Sequence, residues 1–369
     1  MNFSKINEPS NKKTILVAPL DWGLGHAARC IPLIRALLLE NVEVLIAASG
    51  ATKFLLQQEF PSLRYIPLEG YNIYYGRSAM GLFTKMMLQV PKILFRIYQE
   101  HQWLKKAIAE YSINAIISDN RFGLYHPSLP CVYITHQLTI KTGHHFSEKI
   151  LQRFHYWFIK KYSECWIPDN SGAINAGGQL SHPAAMPPNA FYIGCISRLE
   201  KKKHVQKIYD LLIILSGPEP QRTIFEEMLM EQLKKYSGSV MFIRGLPGSE
   251  KIDSKFQSPK NVLYKNHCTA PEINMAMAQS TMLVCRSGYT TVMDLIKLGQ
   301  KAILIPTPGQ TEQEYLAAYL HQQKIFYSMP QQNFSLKLAL EQTNNFSFFI
   351  PQINMELHKE KVKQFVQSL

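Results

Sequence analysis

A glycine-rich turn in the stretch "DWGLGHAARC", residues 21–30, sets His26 between the apolar run "TILVAPL" and the helical pattern "IPLIRALLLE". An imidazole with an ordinary pKa of about 6.5 can take a proton at neutral pH, and the dipole at a helix start disfavours its charged form. Gly23 and Gly25 have no side chains, so a substrate could approach the backbone closely. His26 is therefore a candidate general base; the alternative is a histidine that bonds only its own loop.

A second titratable group ends the strand-like run "NAIISD". Asp119 could orient the imidazole of His26 or act as the base itself, or it could simply cap the turn "SDN". Asp21 is a weaker candidate. After the run "YIT" come His136, His144 and His145, which could contact an acceptor or a metal ion, although we expect an ordinary polar loop.

The stretch "CRSGYTTVMDLIKLGQKAILIPTPGQTEQEYLA", residues 285–317, combines several features of a phosphate and sugar site. Ser287 and Gly288 follow a strand-like run and precede a helix, whose first N–H groups and dipole suit a phosphate. Asp294, about two turns into that helix, could accept hydrogen bonds from a ribose. The following "PTPGQTEQE" supplies amides and carboxylates that can bind sugar hydroxyls.

A departing nucleotide diphosphate would gain negative charge, so positive potential is needed near it. Arg198, Arg222 and Arg286 are candidates, although each could equally be a surface charge. The sequence has no Asp-x-Asp motif for a divalent ion, and its six scattered cysteines lack the paired spacing of a zinc site. We therefore expect no metal ion, and six buried, reduced thiols.

Short β-rich runs alternate with helical stretches on both sides of a charged link, "SRLEKKKHV", near residue 200. This alternation predicts an α/β fold with two Rossmann-like domains, whose parallel sheets face each other across a cleft. Ligands bind at the carboxyl ends of such strands, so the candidate loops would line that cleft. The predicted domains are residues 1–198, residues 199–345, and a terminal helical segment, residues 346–369, that could pack back on the first domain.

The second half carries motifs of a known family. "RSGYTTVMDL" followed by "ILIPTPGQTEQEY" closely resembles the carboxyl-terminal domain of glycosyltransferase family 28, which includes the peptidoglycan transferase MurG and has the GT-B fold. "GLGH" is similar to the first glycine loop of the family, and "YIGCISR" to the end of its first domain. "LSGPEPQR" stands where a third glycine loop is expected, with Ser216 and Gly217 kept. The resemblance covers most of residues 14–330.

This resemblance implies an inverting, metal-independent hexosyltransferase that needs no cofactor beyond its UDP-sugar donor. It would move a hexose or N-acetylhexosamine to a membrane-associated or glycan acceptor, with the acceptor on the first domain and the donor on the second. Asp294 would replace a glutamate that binds ribose, and Gln313 with Glu314 would replace a Gln-Gln pair that reads the sugar. The donor-site candidates are Gly23, Gly25, Arg198, Ser216, Gly217, Cys268, Thr269, Arg286, Ser287, Gly288, Thr291, Asp294, Gln310, Gln313 and Glu314.

Two alternatives remain open at this stage. Nucleotide-sugar hydrolases of pseudaminic acid synthesis share a GT-B-like fold and a "GxGHxxRC" stretch, which "GLGHAARC" matches; water would then replace the acceptor. The chain could also be a non-catalytic subunit that binds a nucleotide sugar for a partner enzyme. In that case Asp294 would be needed and His26 would be dispensable.

Charge and composition bear on partners and location. The net charge is +13, and residues 77–106 mix basic and bulky apolar side chains. Such a segment could rest on an anionic membrane surface, or it could be an ordinary helix with a solvated basic face. No nucleic-acid-binding module accompanies the charge. The polar start and the absence of a long apolar run lead us to expect a cytoplasmic protein, which could sit on the inner face of the plasma membrane.

Overall fold

The computed structural model describes residues 12–71, 79–142, 145–246 and 259–369, without the side chains of residues 79–88 and 145. His144, the side chain of His145 and the beginning of the basic segment 77–106 therefore lie outside the described residues. Among the described residues, no helix is both long and apolar enough to span a membrane. All six cysteines are buried and unpaired.

The first domain is built on a parallel sheet of seven strands in the order β3-β2-β1-β4-β5-β6-β7. Helices cover both faces, and the central strands are accordingly continuous apolar runs rather than alternating ones. The strands are β1 (Thr14–Pro19), β2 (Glu43–Ala47), β3 (Arg64–Ile66), β4 (Ala115–Asp119), β5 (Cys131–Ile134), β6 (Glu164–Ile167) and β7 (Ala190–Tyr192).

Among the described residues of this domain, four α-helices accompany the sheet. They are α1 (Leu24–Leu39), α2 (Gly50–Glu59), α3 (Ala79–Tyr111) and α4 (His145–Ile159). α1 and α2 pack on the face that presents Ile15 and Val17, whereas α3 and the end of α4 pack on the opposite face, beside Leu16 and Ala18. β4 lies next to β1, so the loops after both strands emerge at one edge of the sheet, where α1 begins.

In the part of the chain that the structure describes, the second domain repeats this plan with six parallel strands in the order β10-β9-β8-β11-β12-β13. The two α/β sheets confirm the predicted fold class, and their strand orders are those of Rossmann-like domains. The strands are β8 (Tyr209–Ile214), β9 (Val240–Ile243), β10 (Val262–Lys265), β11 (Ser280–Cys285), β12 (Ala302–Leu304) and β13 (Tyr327–Ser328). The helices are α5 (Gln221–Leu233), α6 (Ala270–Ala278), α7 (Tyr289–Leu298), α8 (Thr311–Gln322) and α9 (Leu336–Asn344).

The last helix, α10 (Leu357–Gln367), packs on the first domain. Met355, just before it, belongs to the core of the second domain, whereas Val362 and Phe365 lie in the core beside α1. The Phe365 ring meets Trp166 edge-on, with centroids 5.5 Å apart. The Lys361 ammonium lies 2.8 Å from Glu164. The end of the chain therefore ties the two domains together.

Candidate active site

His26 and Asp119 are brought together at the edge where β1 and β4 end. His26 lies in the first turn of α1, and its Nδ1 is 2.9 Å from Oδ1 of Asp119. Asp119 is the last residue of β4 and is completely buried, whereas the His26 side chain is 16% exposed. The second ring nitrogen of His26, Nε2, has no hydrogen-bond partner among the described residues. The imidazole is thus anchored at one nitrogen and open at the other.

Arg29 completes a buried charge cluster around this pair. It lies one turn after His26 on the same face of α1. Its Nε donates to Oδ2 of Asp119 at 2.9 Å, and its Nη2 contacts Oδ1. Burial alone would raise the pKa of Asp119, but Arg29 and His26 outweigh it and hold the pKa well below the usual range of a carboxyl group. Asp119 is therefore a carboxylate, and its oxygens are bonded by His26, Arg29 and the Cys30 thiol, whose Sγ lies 3.7 Å from Oδ2.

The cluster continues into the second domain. Arg29 Nη1 lies 3.0 Å from Nδ1 of His136, which follows β5, and Nε2 of His136 lies 2.8 Å from Oε1 of Glu312 on α8. The His136 ring stacks on Tyr289 of α7, with centroids 4.1 Å apart. His136 lies in the loop after β5, as expected, but it is buried and bonds Arg29 and Glu312.

Gly23 and Gly25, the two glycines before His26, differ in the space around their α-carbons. Gly23 precedes α1 with a φ of 107°, and a Cβ built there would meet no atom within 4 Å. A Cβ at Gly25 would lie 3.2 Å from Oγ1 of Thr290, which itself donates to the Gly25 carbonyl at 3.2 Å. The missing side chain at Gly25 thus admits α7 of the second domain rather than a substrate.

The start of α7 has the features of an anion site. Gly288 precedes the helix, and a Cβ there would meet nothing within 4 Å. The backbone N–H groups of the first turn, at Tyr289, Thr290 and Thr291, have no partner within the helix, and the helix dipole adds positive potential. Because Thr290 touches Gly25, this helix end lies directly beside the start of α1.

Asp294, two turns further along α7, meets the end of the first domain. Its Oδ1 accepts a hydrogen bond of 2.5 Å from Ser197. Burial raises the pKa of Asp294 to about 6, against the opposing effects of Ser197 and the nearby Arg198. Nε and Nη1 of Arg198 are shielded from solvent and have no hydrogen-bond partner among the described residues. Asp294 is therefore mainly ionised at neutral pH, beside an arginine with unused donors.

A second set of unused polar groups lies under the loop after β8. A Cβ at Gly217, whose φ is 102°, would lie 3.3 Å from Oγ1 of Thr307 and 4.0 Å from Nε of Arg286. Both of these buried atoms lack a hydrogen-bond partner among the described residues. The rest of the Arg286 guanidinium bonds the carbonyls of Ile305, Pro306 and Gln221, and burial lowers its pKa to about 10. Ser216 is exposed on the same loop.

Other candidates are committed to their own loops. Thr269 begins α6 and bonds Glu272 through both its N–H and its hydroxyl, while the neighbouring Cys268 is buried. Ser287 donates to the Gln313 carbonyl at 2.7 Å. The loop before α8 is held by side chains of that helix: Gln313 accepts from Thr307 N at 3.0 Å and donates to Gln310, and Glu314 accepts from Gly309 N at 2.9 Å.

Arg222 does not supply free positive charge. It is buried and lies 2.9 Å from Glu226 and 2.6 Å from Glu219. Glu226 also pairs with Arg244. The charge of Arg222 is thus neutralised within the second domain.

A pocket of about 280 Å³ lies at the carboxyl ends of the first three strands. Gly23 and Leu24 form part of its wall, which places it beside the helix that carries His26. Asp21 also lines it, and Oδ1 of Asp21 is buried without a partner among the described residues. A side chain at Gly70 would collide with Asp21, at 1.5 Å from Oδ2. Within the described ranges, no group of three or more histidine, cysteine, aspartate or glutamate side chains is arranged to hold a metal ion.

Comparisons with known proteins agree with this architecture. Residues 213–369 match the model of the glycosyltransferase family 28 C-terminal domain. An uncharacterized glycosyltransferase of Methanosarcina acetivorans is 23% identical over 338 residues, which are 84% of this chain and 84% of that protein. UDP-N-acetylglucosamine--N-acetylmuramyl-(pentapeptide) pyrophosphoryl-undecaprenol N-acetylglucosamine transferase of Caldanaerobacter subterraneus is 26% identical over 130 residues, 34% of this chain and 35% of that protein.

The crystal structure of the glycosyltransferase of kitacinnamycin superposes with a TM-score of 0.64 at 13% identity, covering 97% of this chain and 96% of that one. The fold and the matched domain together define an enzyme, a glycosyltransferase of the GT-B type. The match of residues 213–369 to the family 28 C-terminal domain confirms the resemblance inferred from the sequence motifs.

The sequence did not indicate that Arg29, His136 and Glu312 belong to one site with His26 and Asp119. Arg29 carried a signal, since it is one helical turn from His26. The contact of His136 with Glu312 joins positions 176 residues apart in different domains, and no local pattern indicates it.

Proposed function

We propose that the chain is an inverting, metal-independent transferase that moves a hexose or N-acetylhexosamine from a UDP-sugar to a hydroxyl of a membrane-associated or glycan acceptor. The observation that carries this proposal is the His26–Asp119–Arg29 cluster, which lies against the first turn of α7. A base and an anion site from different domains are thereby adjacent, as a transfer between two substrates requires.

The proton and electron pair would move as follows. The acceptor hydroxyl gives its proton to Nε2 of His26 while its oxygen attacks the anomeric carbon. The bond from that carbon to the diphosphate oxygen breaks, and its electron pair leaves with the nucleotide. Asp119, an ionised carboxylate at Nδ1, stabilises the imidazolium that forms. A single displacement from the face opposite the leaving group inverts the anomeric centre.

Positive potential for the leaving diphosphate would come from the protein itself. The first turn of α7 offers three N–H groups and its dipole, and Arg286 Nε and Thr307 Oγ1 are unpaired beneath Gly217. Asp294 retains an oxygen for the ribose hydroxyls, beside the free donors of Arg198. The name of the Caldanaerobacter relative includes UDP-N-acetylglucosamine as donor, which supports a UDP-sugar here.

The pocket beside His26 is the proposed acceptor site. Asp21 and Glu69 supply carboxylates, and Ser49 and Thr52 supply hydroxyls, all of which suit the hydroxyl groups of a sugar. The acceptor of the Caldanaerobacter relative is, by its name, attached to undecaprenol, which supports a lipid-linked substrate. We accordingly propose a cytoplasmic location at the membrane surface.

The exposed faces of α3 and α4 would make the membrane contact. Phe146, Ile150, Phe154 and Trp157 recur every three or four residues along α4 and are each 45–78% exposed, so they form one apolar stripe. On α3, Leu94, Phe95 and Tyr98 are also exposed. The two helices are neighbours, since Ile97 and Phe158 share a cluster. The basic residues on or just after these helices include Lys149, Arg153, Lys160 and Lys161, which suit anionic lipid.

Replacing two aromatic residues of the stripe, Phe146→Ser with Trp157→Ser, weakens binding to phosphatidylglycerol vesicles by at least about tenfold. Each side chain loses roughly 1.5–3 kcal/mol of apolar burial. Vesicle co-sedimentation at low salt measures the effect. The matched control is Phe349→Ser, an exposed aromatic residue of the segment that follows the second domain, which should bind as the wild type does. A wild-type protein that ignores anionic vesicles contradicts the membrane proposal.

Replacing Asp294 by alanine weakens UDP-sugar binding by about 10- to 150-fold, the equivalent of the ~1.5–3 kcal/mol typical of hydrogen bonds to a charged group. Calorimetric titration with a panel of UDP-hexoses and UDP-N-acetylhexosamines tests both the donor class and this residue. Asp210→Ala is the control, because Asp210 lies near the amino end of β8, whereas the proposed donor site lies at the carboxyl ends of the strands. Unchanged affinity in Asp294→Ala would remove Asp294 from the donor site.

A further inference from the structure

Nδ1 of His26 lies beside both a hydrogen-bond acceptor and a hydrogen-bond donor. Nδ1 of His26 lies 2.9 Å from Oδ1 of Asp119, which can only accept a hydrogen bond, and 2.9 Å from Nη2 of Arg29, which can only donate one. A ring nitrogen either carries a proton and donates, or is bare and accepts. The two contacts therefore cannot both be hydrogen bonds at the same time.

The choice between them decides whether His26 can act as a base. When Nδ1 donates to Asp119, the neutral ring has a bare Nε2, which can take the proton of an acceptor hydroxyl. When Nδ1 accepts from Arg29, the proton resides on Nε2, and the ring cannot take another there without first losing it. The position of the Arg29 guanidinium thus bears directly on the chemistry proposed for His26.

The tautomer of His136 follows from its neighbours. Arg29 Nη1, 3.0 Å away, can only donate, so Nδ1 of His136 must accept. The proton of His136 is then on Nε2, where it is donated to Oε1 of Glu312 at 2.8 Å. Burial lowers the pKa of His136, and Arg29 and His26 lower it further, whereas Glu312 opposes them. The lowered pKa favours the neutral ring. Its ring is also held flat against Tyr289.

We propose that His136 and Glu312 are positioning residues that set the tautomer of His26 through Arg29. By accepting from Nη1, His136 holds the guanidinium in the orientation in which Nε and Nη2 bind the two oxygens of Asp119. Without that contact, the guanidinium can turn toward Nδ1 of His26 and compete with Asp119 for it. Neither positioning residue needs to touch a substrate.

This arrangement couples the base to the apposition of the domains. His26, Arg29, Asp119 and His136 belong to the first domain, whereas Glu312 is on α8 of the second. The tautomer that can accept a proton is therefore favoured only when the donor-side domain is in place. The inference rests on the proposed role of His26 as general base.

Histidine tautomers can be read directly from long-range ¹H–¹⁵N correlations of ¹⁵N-histidine-labelled protein, with the His26 signals assigned by loss in His26→Ala. The wild type should show His26 protonated on Nδ1 and His136 on Nε2. In His136→Phe, which keeps an aromatic ring for Tyr289 but removes both hydrogen bonds, the Nε2-protonated form of His26 should increase. Glu312→Ala should shift it in the same direction.

Kinetics should follow the tautomer. In both variants kcat should fall roughly tenfold or more, while KM for the UDP-sugar stays within about twofold, because the donor contacts are elsewhere. His136→Gln, whose amide offers one acceptor and one donor, should restore part of the loss. The control is Tyr315→Phe, which removes another contact between α8 and the first domain, the 2.7 Å hydrogen bond from Gln179 N, and should change neither readout.

An unchanged His26 tautomer in His136→Phe and Glu312→Ala overturns the inference, whatever happens to activity. Failure of the proposed function has a different signature, release of free sugar by the wild type at the same rate without lipid, and full transfer activity in His26→Ala would exclude only the role of His26 as the base. The tautomer measurement still decides the positioning role in that case, because it needs no substrate.

Discussion

Replacing His26 by alanine is expected to lower kcat for sugar transfer by about 10²- to 10⁴-fold, the usual contribution of a general base. Nε2 of His26 is open, and Nδ1 is held by the ionised Asp119. Removing the ring leaves the acceptor hydroxyl with no group to take its proton as it attacks. UDP-sugar affinity should change less than about twofold, because the proposed donor contacts come from α7 and its surrounding loops.

The matched control is His101→Ala. His101 is a half-buried histidine of the same domain, whose Nδ1 lies 3.3 Å from the Gly123 carbonyl, and it has no contact with the cluster. Steady-state rates with saturating donor should separate the two variants clearly. Activity of His26→Ala within about tenfold of the wild type would exclude His26 as the base.

Replacing Asp119 by asparagine should impair both activity and stability. The amide cannot balance the charge of Arg29, which is buried, and breaking such a pair typically costs about 3–5 kcal/mol. An amide N–H facing Nδ1 of His26 would also favour the tautomer with no bare Nε2, and kcat should fall by up to about 10⁴-fold.

The stability effect can be measured on the first domain alone. All four tryptophans, Trp22, Trp103, Trp157 and Trp166, belong to that domain, so urea unfolding followed by tryptophan fluorescence reports on it. If the uncompensated charge is the cause, adding Arg29→Met to Asp119→Asn should recover part of the lost stability. Additive destabilisation in the double variant would contradict this explanation.

The same variant has a defined pH dependence. The pKa of Asp119 is depressed in the folded protein, so its stabilising contribution is complete above the unfolded pKa of about 4. That contribution is lost as the pH falls through the lower, folded pKa. The stability difference between wild type and Asp119→Asn should therefore be constant from pH 5 to 7 and shrink below about pH 4.

Much of the fold could be predicted because its strands are strong local signals. "TILVAPL" and "NAIISD" became β1 and β4, and the Rossmann strand order makes these two strands neighbours. That order alone brings Asp119 to His26 across 93 residues. By contrast, β7 and β13 have only three and two residues, too few for a recognisable period.

Two positions that we predicted to contact a substrate, Thr269 and Gly25, have structural roles instead. "TAPE" at residues 269–272 is a capping box with a proline in the first turn, which explains why Thr269 bonds Glu272. Gly25 suggested close approach by a substrate, whereas the chain that approaches it is α7. The relative placement of the two domains is set by interface packing, and no periodicity within either half encodes it; hence the contact of His136 with Glu312 could not be predicted.

The most direct test of the central claim is a product analysis. Wild type and His26→Ala are incubated with sugar-labelled UDP-hexose or UDP-N-acetylhexosamine, with and without a membrane lipid extract, and lipid-linked sugar is separated from free sugar. The expected result is lipid-dependent transfer by the wild type, with inverted anomeric configuration, and at least about 100-fold less product with His26→Ala. Release of free sugar at the same rate without lipid would contradict the transferase and identify a nucleotide-sugar hydrolase instead.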